Sequence, residues 1–101
     1  MMDDLPAGLV AYRRSPEFNQ DTLPAALQRE HRTKAGAWAL IHVIEGQLLY
    51  RILEPFSETV LTSEKPGIVC PEQPHEIHPI GPVRIYVEFY SANAPARPPR
   101  I

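Results

Sequence analysis

The sequence has little of three features that would assign a chain to a class at once: cysteine, charge of one sign, and long apolar runs. The single cysteine, Cys70, excludes an intramolecular disulfide and favours a reducing compartment, so we expect a cytoplasmic protein. The longest apolar run, residues 35–41, is too short to span a bilayer. Residues 1–4 are acidic where a secretory signal needs positive charge. We therefore expect no membrane association.

The charged residues give no sign of a nucleic-acid partner. Acidic and basic side chains are interspersed, and the formal net charge is −2 at pH 7. Without a basic stripe, we expect no nucleic-acid binding. The chain has 101 residues, 44% hydrophobic and 22% charged, which fits one globular domain. We place this domain at residues 1–90 and predict that residues 91–101, which are proline-rich and lack an apolar period, form a mobile tail.

What the sequence does contain is a succession of short β-type runs between proline and glycine turns. The clearest are residues 37–45 and 83–90, which are rich in aromatic and β-branched side chains. Gly46 predicts a tight hairpin after the first of these runs. Residues 22–30 are compatible with either a helix or an extended strand. Seven or eight such strands predict an all-β barrel or sandwich that could enclose one small site.

Residues 37–45 are apolar on both faces of the predicted strand. Trp38, Leu40, His42 and Ile44 share one face, yet a small barrel has only one interior. Something must cover the second face, and a two-fold partner is the simplest cover. We therefore expect a homodimer with His42 or Trp38 near the contact. The competing explanation is that residues 8–30 fold over this face within one chain.

The stretch at residues 71–79, PEQPHEIHP, is the most distinctive part of the chain. Proline lacks a backbone donor and has a fixed φ, so three prolines here predict a stiff bend outside any central strand. The bend would deliver His75 to the start of a strand. A side chain held in this way is well placed to act as a metal ligand.

Four stretches in this order and spacing resemble the TehB/YeaR-like domain, a small cupin family related to tellurite resistance: SPEFNQDTLPAALQREHRTKAGAW, VIEGQLLYRI, PGIVCPEQPHEI and VRIYVEFY. The resemblance implies an all-β, cupin-like double-stranded β-helix barrel, often dimeric. It also implies a metal-binding protein that takes a small molecule or oxyanion ligand in a bacterial stress response.

The cupin motifs are incomplete in this sequence. His75 matches the histidine of the second motif and His31 matches one histidine of the first, but Thr33 stands where the first motif has another. The residues support a reduced metal site of His31, Glu72 and His75, with Glu88 as a fallback carboxylate. Two imidazoles and a carboxylate suit a divalent metal, Zn first, with Fe, Ni or Mn as alternatives.

Two other functions compete with this interpretation. Open positions on the metal would suit a metal-dependent oxygenase or isomerase, although no catalytic residue can be named. The chain could also be a metal-free structural dimer module. For Glu72, a loop acid that caps backbone donors is as good an interpretation as metal ligation.

Overall fold

The protein is built from strands, as its β-type runs predict. The computed structural model describes residues 5–92, and this range contains six strands, one 3₁₀ turn and no α-helix. The all-β prediction is therefore confirmed. No helix within residues 5–92 has the length and apolar character needed to cross a membrane. The elements are β1 (Val10–Arg14), β2 (Phe18–Asn19), the 3₁₀ turn (Ala25–Gln28), β3 (Trp38–Leu53), β4 (Phe56–Leu61), β5 (Gly67–Val69) and β6 (His75–Ser91).

Strands β3 and β6 form the long central pair of the sheet. They run antiparallel, with Trp38 opposite Tyr90 at one end and Ile52 opposite His75 at the other. Two register shifts interrupt the pair near Gly46. Bulges of this kind bend the strands that carry them. The bend divides the sheet into two halves, and side chains from both halves line one interior.

The first of these shifts, at Ile44, also decides which side chains are buried. In β3 the buried positions are odd-numbered up to Val43 and even-numbered from Leu48. Because side chains alternate between the faces of a strand, a shift of one residue moves every later side chain to the other face. The bulge therefore keeps both halves of β3 facing the same core.

The remaining strands extend both edges of the central pair. On one side of β3, β4 pairs with residues 48–53 and β5 with residues 39–41. On the free side of β6, β1 pairs with residues 88–91 and β2 with residues 84–85. The hydrogen-bonded path runs β1-β6-β3-β4 and does not close on itself within the described residues. The domain is thus an open, bent antiparallel sheet.

The core lies between the two halves of the bent sheet. Leu23, just before the 3₁₀ turn, joins the strand residues there, while Phe18 and Leu27 pack against the edge of the core. The buried apolar residues are Leu23, Ala37, Ala39, Ile41, Val43, Leu48, Tyr50, Leu61, Val69, Ile77, Val83, Ile85 and Val87.

Two local predictions are settled by these elements. The predicted hairpin at Gly46 is wrong, because β3 continues through this glycine and keeps the same partner strand on both sides. The predicted positive φ of this glycine is present, but Gly46 lies between two register shifts of a continuous strand and not in a chain reversal. Residues 22–30, for which helix and strand were both open, contain the 3₁₀ turn and no strand.

The predicted mobile tail falls almost entirely outside the described range. Ser91 is the last residue of β6, and residues 93–101 are not described. The division into a domain at residues 1–90 and a tail at 91–101 therefore stays a prediction.

The close approach of β3 to β6 between the two register shifts can be tested by adding a methyl group to Gly46. This residue has a φ of 87°, and a Cβ there would overlap the carbonyl oxygen of Pro82. Gly36 is the matched control, because its φ is 79° but nothing lies near its Cβ position. In both variants the alanine must adopt a left-handed backbone conformation, which lowers the free energy of unfolding by about 1–2 kcal/mol. Gly46→Ala adds an overpacking penalty, so we expect its total loss to exceed about 3 kcal/mol.

Urea unfolding of the two variants provides the measurement. Equal losses for Gly46→Ala and Gly36→Ala would contradict the close approach of β3 to the backbone of Pro82.

Candidate functional site

A cavity of about 190 Å³ lies between the two halves of the sheet. Most of its wall is apolar, and no carboxylate belongs to it among the described residues. The polar side chains that reach it include two histidines and one arginine. The lining residues are Arg13, Ser15, Pro16, Phe18, Leu27, His31, Thr33, Ala39, Ile41, Val69, His75, Ile77, Val87 and Phe89.

The backbone brings His31 and His75 together. The N–H of each donates to the carbonyl oxygen of the other, at 2.8 and 2.9 Å, which makes an isolated antiparallel bridge. Residues directly opposite in such a bridge place their side chains on the same face. The two rings meet edge to face, with their centroids 5.5 Å apart. The structure therefore brings together two of the three predicted site residues.

The ring of His75 is fixed by one hydrogen bond. Its Nδ1 lies 2.9 Å from the carbonyl oxygen of Gln73. Because a carbonyl oxygen can only accept, Nδ1 carries the proton, and a neutral ring then has Nε2 as an acceptor. The predicted bend supplies this carbonyl and β6 starts at His75, as expected. The prediction that residues 71–79 lie outside any central strand is wrong for residues 75–79, because they belong to β6 and Pro79 lies opposite Leu48 of β3.

Burial controls the charge of His75, which is only 5% exposed. Removal of the ring from water lowers its pKa, the bond to Gln73 works in the opposite direction, and the neighbouring His31 lowers the pKa further. The net result is a pKa below the ordinary histidine value, so the ring is neutral at pH 7.

Tyr50 packs against His75 without lining the cavity. Its ring contacts the His75 ring edge to face at 5.9 Å, and its hydroxyl donates to the carbonyl oxygen of Ile68 at 2.7 Å. Burial first, and then the nearby Cys70, raise the pKa of Tyr50 far above the usual value. The phenol therefore stays protonated and acts as a structural hydrogen-bond donor.

Glu72 does not join the two histidines. Its side chain is exposed, it is absent from the cavity wall, and its φ is 62°. Its backbone N–H donates to the carbonyl oxygen of Thr33 at 3.1 Å, which holds the loop in place. A left-handed residue in a proline-rich loop cannot be recognised from sequence when it is a glutamate, so the direction of this side chain was not predictable.

Glu88, the fallback carboxylate, lies on the opposite face of the sheet. Its Oε1 accepts hydrogen bonds from His42 Nε2 and Tyr90 Oη, both at 2.9 Å. Burial works to raise the pKa of Glu88, but these two bonds outweigh it and hold the pKa below its usual range. Glu88 thus belongs to a network outside the cavity. His78 also faces away from it and pairs with Glu76.

Arg13 is a cavity residue that the sequence did not single out. In β1, Ala11 pairs with Tyr90 and Arg13 with Phe89, so Tyr12 is an extra residue without a partner. This β-bulge turns Arg13 toward the cavity, and its guanidinium carbon lies 5.7 Å from the centroid of the Phe89 ring. No feature of the sequence marks a bulge at Tyr12.

The fold and the cavity together define a small antiparallel β-domain with one mainly apolar, histidine-lined cavity. The chain belongs to the TehB-like domain family, whose model matches residues 13–87. The predicted TehB/YeaR-like membership is confirmed.

Relatives in this family include longer proteins. Over 42 residues the chain is 36% and 33% identical to two proteins of Haemophilus influenzae, strains Rd and 10810, each named a probable S-adenosyl-L-methionine-dependent methyltransferase TehB. This alignment covers 42% of the chain and 15% of either relative. The chain therefore matches only a small part of the length of these proteins.

Solved structures support the same relationship. TehB of H. influenzae superposes with a TM-score of 0.77 at 27% identity, covering 84% of this chain and 32% of that protein. A protein of Escherichia coli K12 superposes with a TM-score of 0.83, covering 91% of this chain and 99% of that chain. Its 20% identity shows a shared fold alone.

The predicted divalent metal is wrong. No group of three or more potential ligands among histidine, cysteine, aspartate and glutamate occurs within residues 5–92. His31 and His75 lie together, but Glu72 is exposed and absent from the cavity wall, which contains no other carboxylate within residues 5–92. The relatives' name refers to S-adenosylmethionine and not to Zn, Fe, Ni or Mn.

The predicted function fails together with the predicted metal. A metal-binding cupin protein of the stress response is wrong, because the curated relatives are named methyltransferases and the described residues hold no metal site. The alternatives, a metal-dependent oxygenase or isomerase and a metal-free structural module, do not match that name either.

The buried position of His75 predicts a pH dependence of stability. Its pKa in the folded chain lies below the unfolded value of about 6.5, so the unfolded chain takes up the proton first as the pH falls. The stabilisation is complete above about pH 6.5 and is lost as the pH falls below it. His75→Asn keeps a side-chain donor but cannot titrate, so its unfolding free energy should fall less between pH 7.5 and about 5.5.

Urea unfolding across this pH range tests the prediction, with His78→Asn as a control on the exposed face. If the parent chain and His75→Asn lose stability in parallel, the neutral, buried state of His75 is contradicted.

Proposed function

We propose that this chain is a small-molecule-binding domain that works with S-adenosylmethionine-dependent methyl transfer. The observation that carries the proposal is the cavity, which is enclosed by both halves of the sheet and has an apolar wall with few polar groups. Ligand sites in proteins have this character. An apolar cavity of about 150 Å³ in another protein binds benzene, so a cavity of about 190 Å³ suits a molecule of about that size.

The residues of the domain do not fit S-adenosylmethionine itself. This cofactor combines a purine, a ribose and a methionine chain, and ligands of that size occupy cavities of about 300–1,000 Å³. The cavity here is smaller. Nucleotide sites commonly bind the ribose hydroxyls with a carboxylate, and the described part of this cavity wall contains none. We therefore assign methyl transfer to the part of the relatives that this chain does not match.

We also propose that the sheet is a cupin-like double-stranded β-helix barrel. A double-stranded β-helix barrel opened along one edge is supported by the two halves of the bent sheet, which face each other across the cavity. A cytoplasmic location would suit a domain that works with a methyltransferase, and the single cysteine supports it.

Filling the cavity should abolish binding of a small apolar probe. Ala39 is 1% exposed and lines the cavity, so Ala39→Leu places three additional carbons there. We expect toluene to shift the ¹H–¹⁵N resonances of the parent chain around the cavity and to have no such effect in this variant. Ala11→Leu is the matched control, because Ala11 is exposed and opposite Tyr90 on β1.

Two outcomes would contradict the binding proposal. One is that toluene leaves the cavity resonances of the parent chain unchanged up to its solubility. The other is that Ala39→Leu, shown to be folded by its own spectrum, responds as the parent does.

The proposal includes a second copy of the chain as a partner. On the outer face, Trp38 lies opposite Tyr90, and His42 lies opposite Tyr86 and stacks on its ring at 4.5 Å. These side chains are half-buried and form one aromatic patch. Patches of this kind mark interaction sites.

The charge on this patch is already compensated. The carboxylate of Glu88 accepts two hydrogen bonds and lies 3.6 Å from the guanidinium of Arg14. Covering the patch therefore leaves no unpaired acid. Strands β1 and β2 extend the edge of β6, and of their side chains Arg14 lies over the Tyr86 ring of the patch. The predicted alternative, in which residues 8–30 cover this face within one chain, therefore stays beside the homodimer as an outcome of the test.

Light scattering tests the homodimer. We expect a mass near twice the 11.4 kDa of one chain at micromolar concentration. Leu40→Lys places a charge between Trp38 and His42 and should give the single-chain mass. Val60→Lys, at an exposed position on β4, should leave the dimer intact. A parent mass near 11.4 kDa that does not rise on concentration would contradict the homodimer.

A further inference from the structure

We propose that the cavity selects a short organic acid, and that Arg13 binds its carboxylate while the apolar wall holds its hydrocarbon body. This inference rests on the proposed function, because it names the ligand class of the same cavity. It is carried by the bulge in β1, by the absence of a carboxylate partner for Arg13 among residues 5–92, and by the composition of the cavity wall.

The bulge decides which of two adjacent arginines reaches the cavity. If the pairing continued regularly from Ala11, Tyr12 would lie opposite Phe89, and Arg13 would lie opposite Glu88 on the outer face. It would place Arg14 on the cavity side. The observed register reverses this, with Arg13 opposite Phe89 and Arg14 opposite Glu88. Bulges are frequent next to functional sites, where they redirect a side chain.

Arg13 differs in its partners from four of the other arginines within residues 5–92. Arg14, Arg32, Arg51 and Arg84 each have a carboxylate within 4.0 Å.

Arg13 has no such partner among residues 5–92, and its guanidinium lies over the Phe89 ring at the mouth of the cavity. Arg29 shares the lack of a carboxylate but does not line the cavity. Arg13 is thus an available cation beside an apolar space.

The chemistry of this arrangement defines the ligand. A guanidinium presents a planar fork of donors that matches a carboxylate, and charge-assisted bonds of this kind are stronger than neutral ones. The wall beyond the mouth includes Phe18, Ile41, Val69, Ile77 and Val87, which suit a branched or aromatic hydrocarbon group. No acidic side chain of the described cavity wall would repel an anion.

The test compares benzoate with its neutral analogue benzamide by isothermal titration calorimetry at pH 7.5. We expect the parent chain to bind benzoate about tenfold more tightly than benzamide. This ratio corresponds to the free energy that one charge-assisted hydrogen bond contributes at a partly exposed site. Arg13→Gln should bring the two affinities together. Arg14→Gln is the matched control and should keep the preference, because Arg14 lies on the outer face over Tyr86.

Each other outcome overturns a defined part of the inference. If toluene enters the cavity but benzoate binds no better than benzamide, or if Arg13→Gln keeps the preference, the organic-acid class is wrong while the binding domain stands. If sulfate binds as tightly as benzoate, the apolar wall has no part in recognition and the organic class is wrong. If neither toluene nor benzoate binds, the proposed function fails together with this inference.

Discussion

The antiparallel pairing of β3 with β6 is the interaction on which the rest of the structure depends. Two strands of this length would form a long flat ribbon if their pairing were regular. The register shifts near Gly46 bend the ribbon and reverse the alternation of β3, so that Val43 and Leu48 both face inward. Every other strand adds to an edge of this pair. The cavity exists because the bent pair faces itself.

The polar groups of the cavity are placed by the same kind of local irregularity. The proline-bounded bend ends at His75, whose bridge to His31 sets two imidazoles on one wall. The bulge at Tyr12 brings Arg13 to the mouth. His75 keeps the regular alternation of β6, in which Ile77 is also buried, whereas Arg13 reaches the cavity because the alternation of β1 is broken at Tyr12. Recognition in this domain therefore depends on backbone irregularities as much as on residue types.

Much of the strand content and part of the site could be predicted from sequence, because they follow from local chemistry. The alternation in residues 83–90 identified Val83, Ile85 and Val87 as core residues, and proline chemistry identified His75 as the start of a strand. The bulges could not be predicted, since Gly46 suits a hairpin equally well. Glu72 has a left-handed backbone conformation that its residue type does not suggest, so the outward direction of its side chain could not be predicted. The predicted metal site included this carboxylate together with the two histidines.

The central claim is that the cavity between the two halves of the sheet holds a small organic ligand. Intermolecular nuclear Overhauser effects provide the most direct test, because they report ligand protons within a few ångströms of named methyl groups. With benzoate bound to ¹³C-labelled protein, we predict contacts from its ring protons to the methyl groups of Ile41 and Ile77, one from each half of the sheet. Contacts confined to outer-face residues such as Leu40, or no contacts at saturating benzoate, would contradict the account.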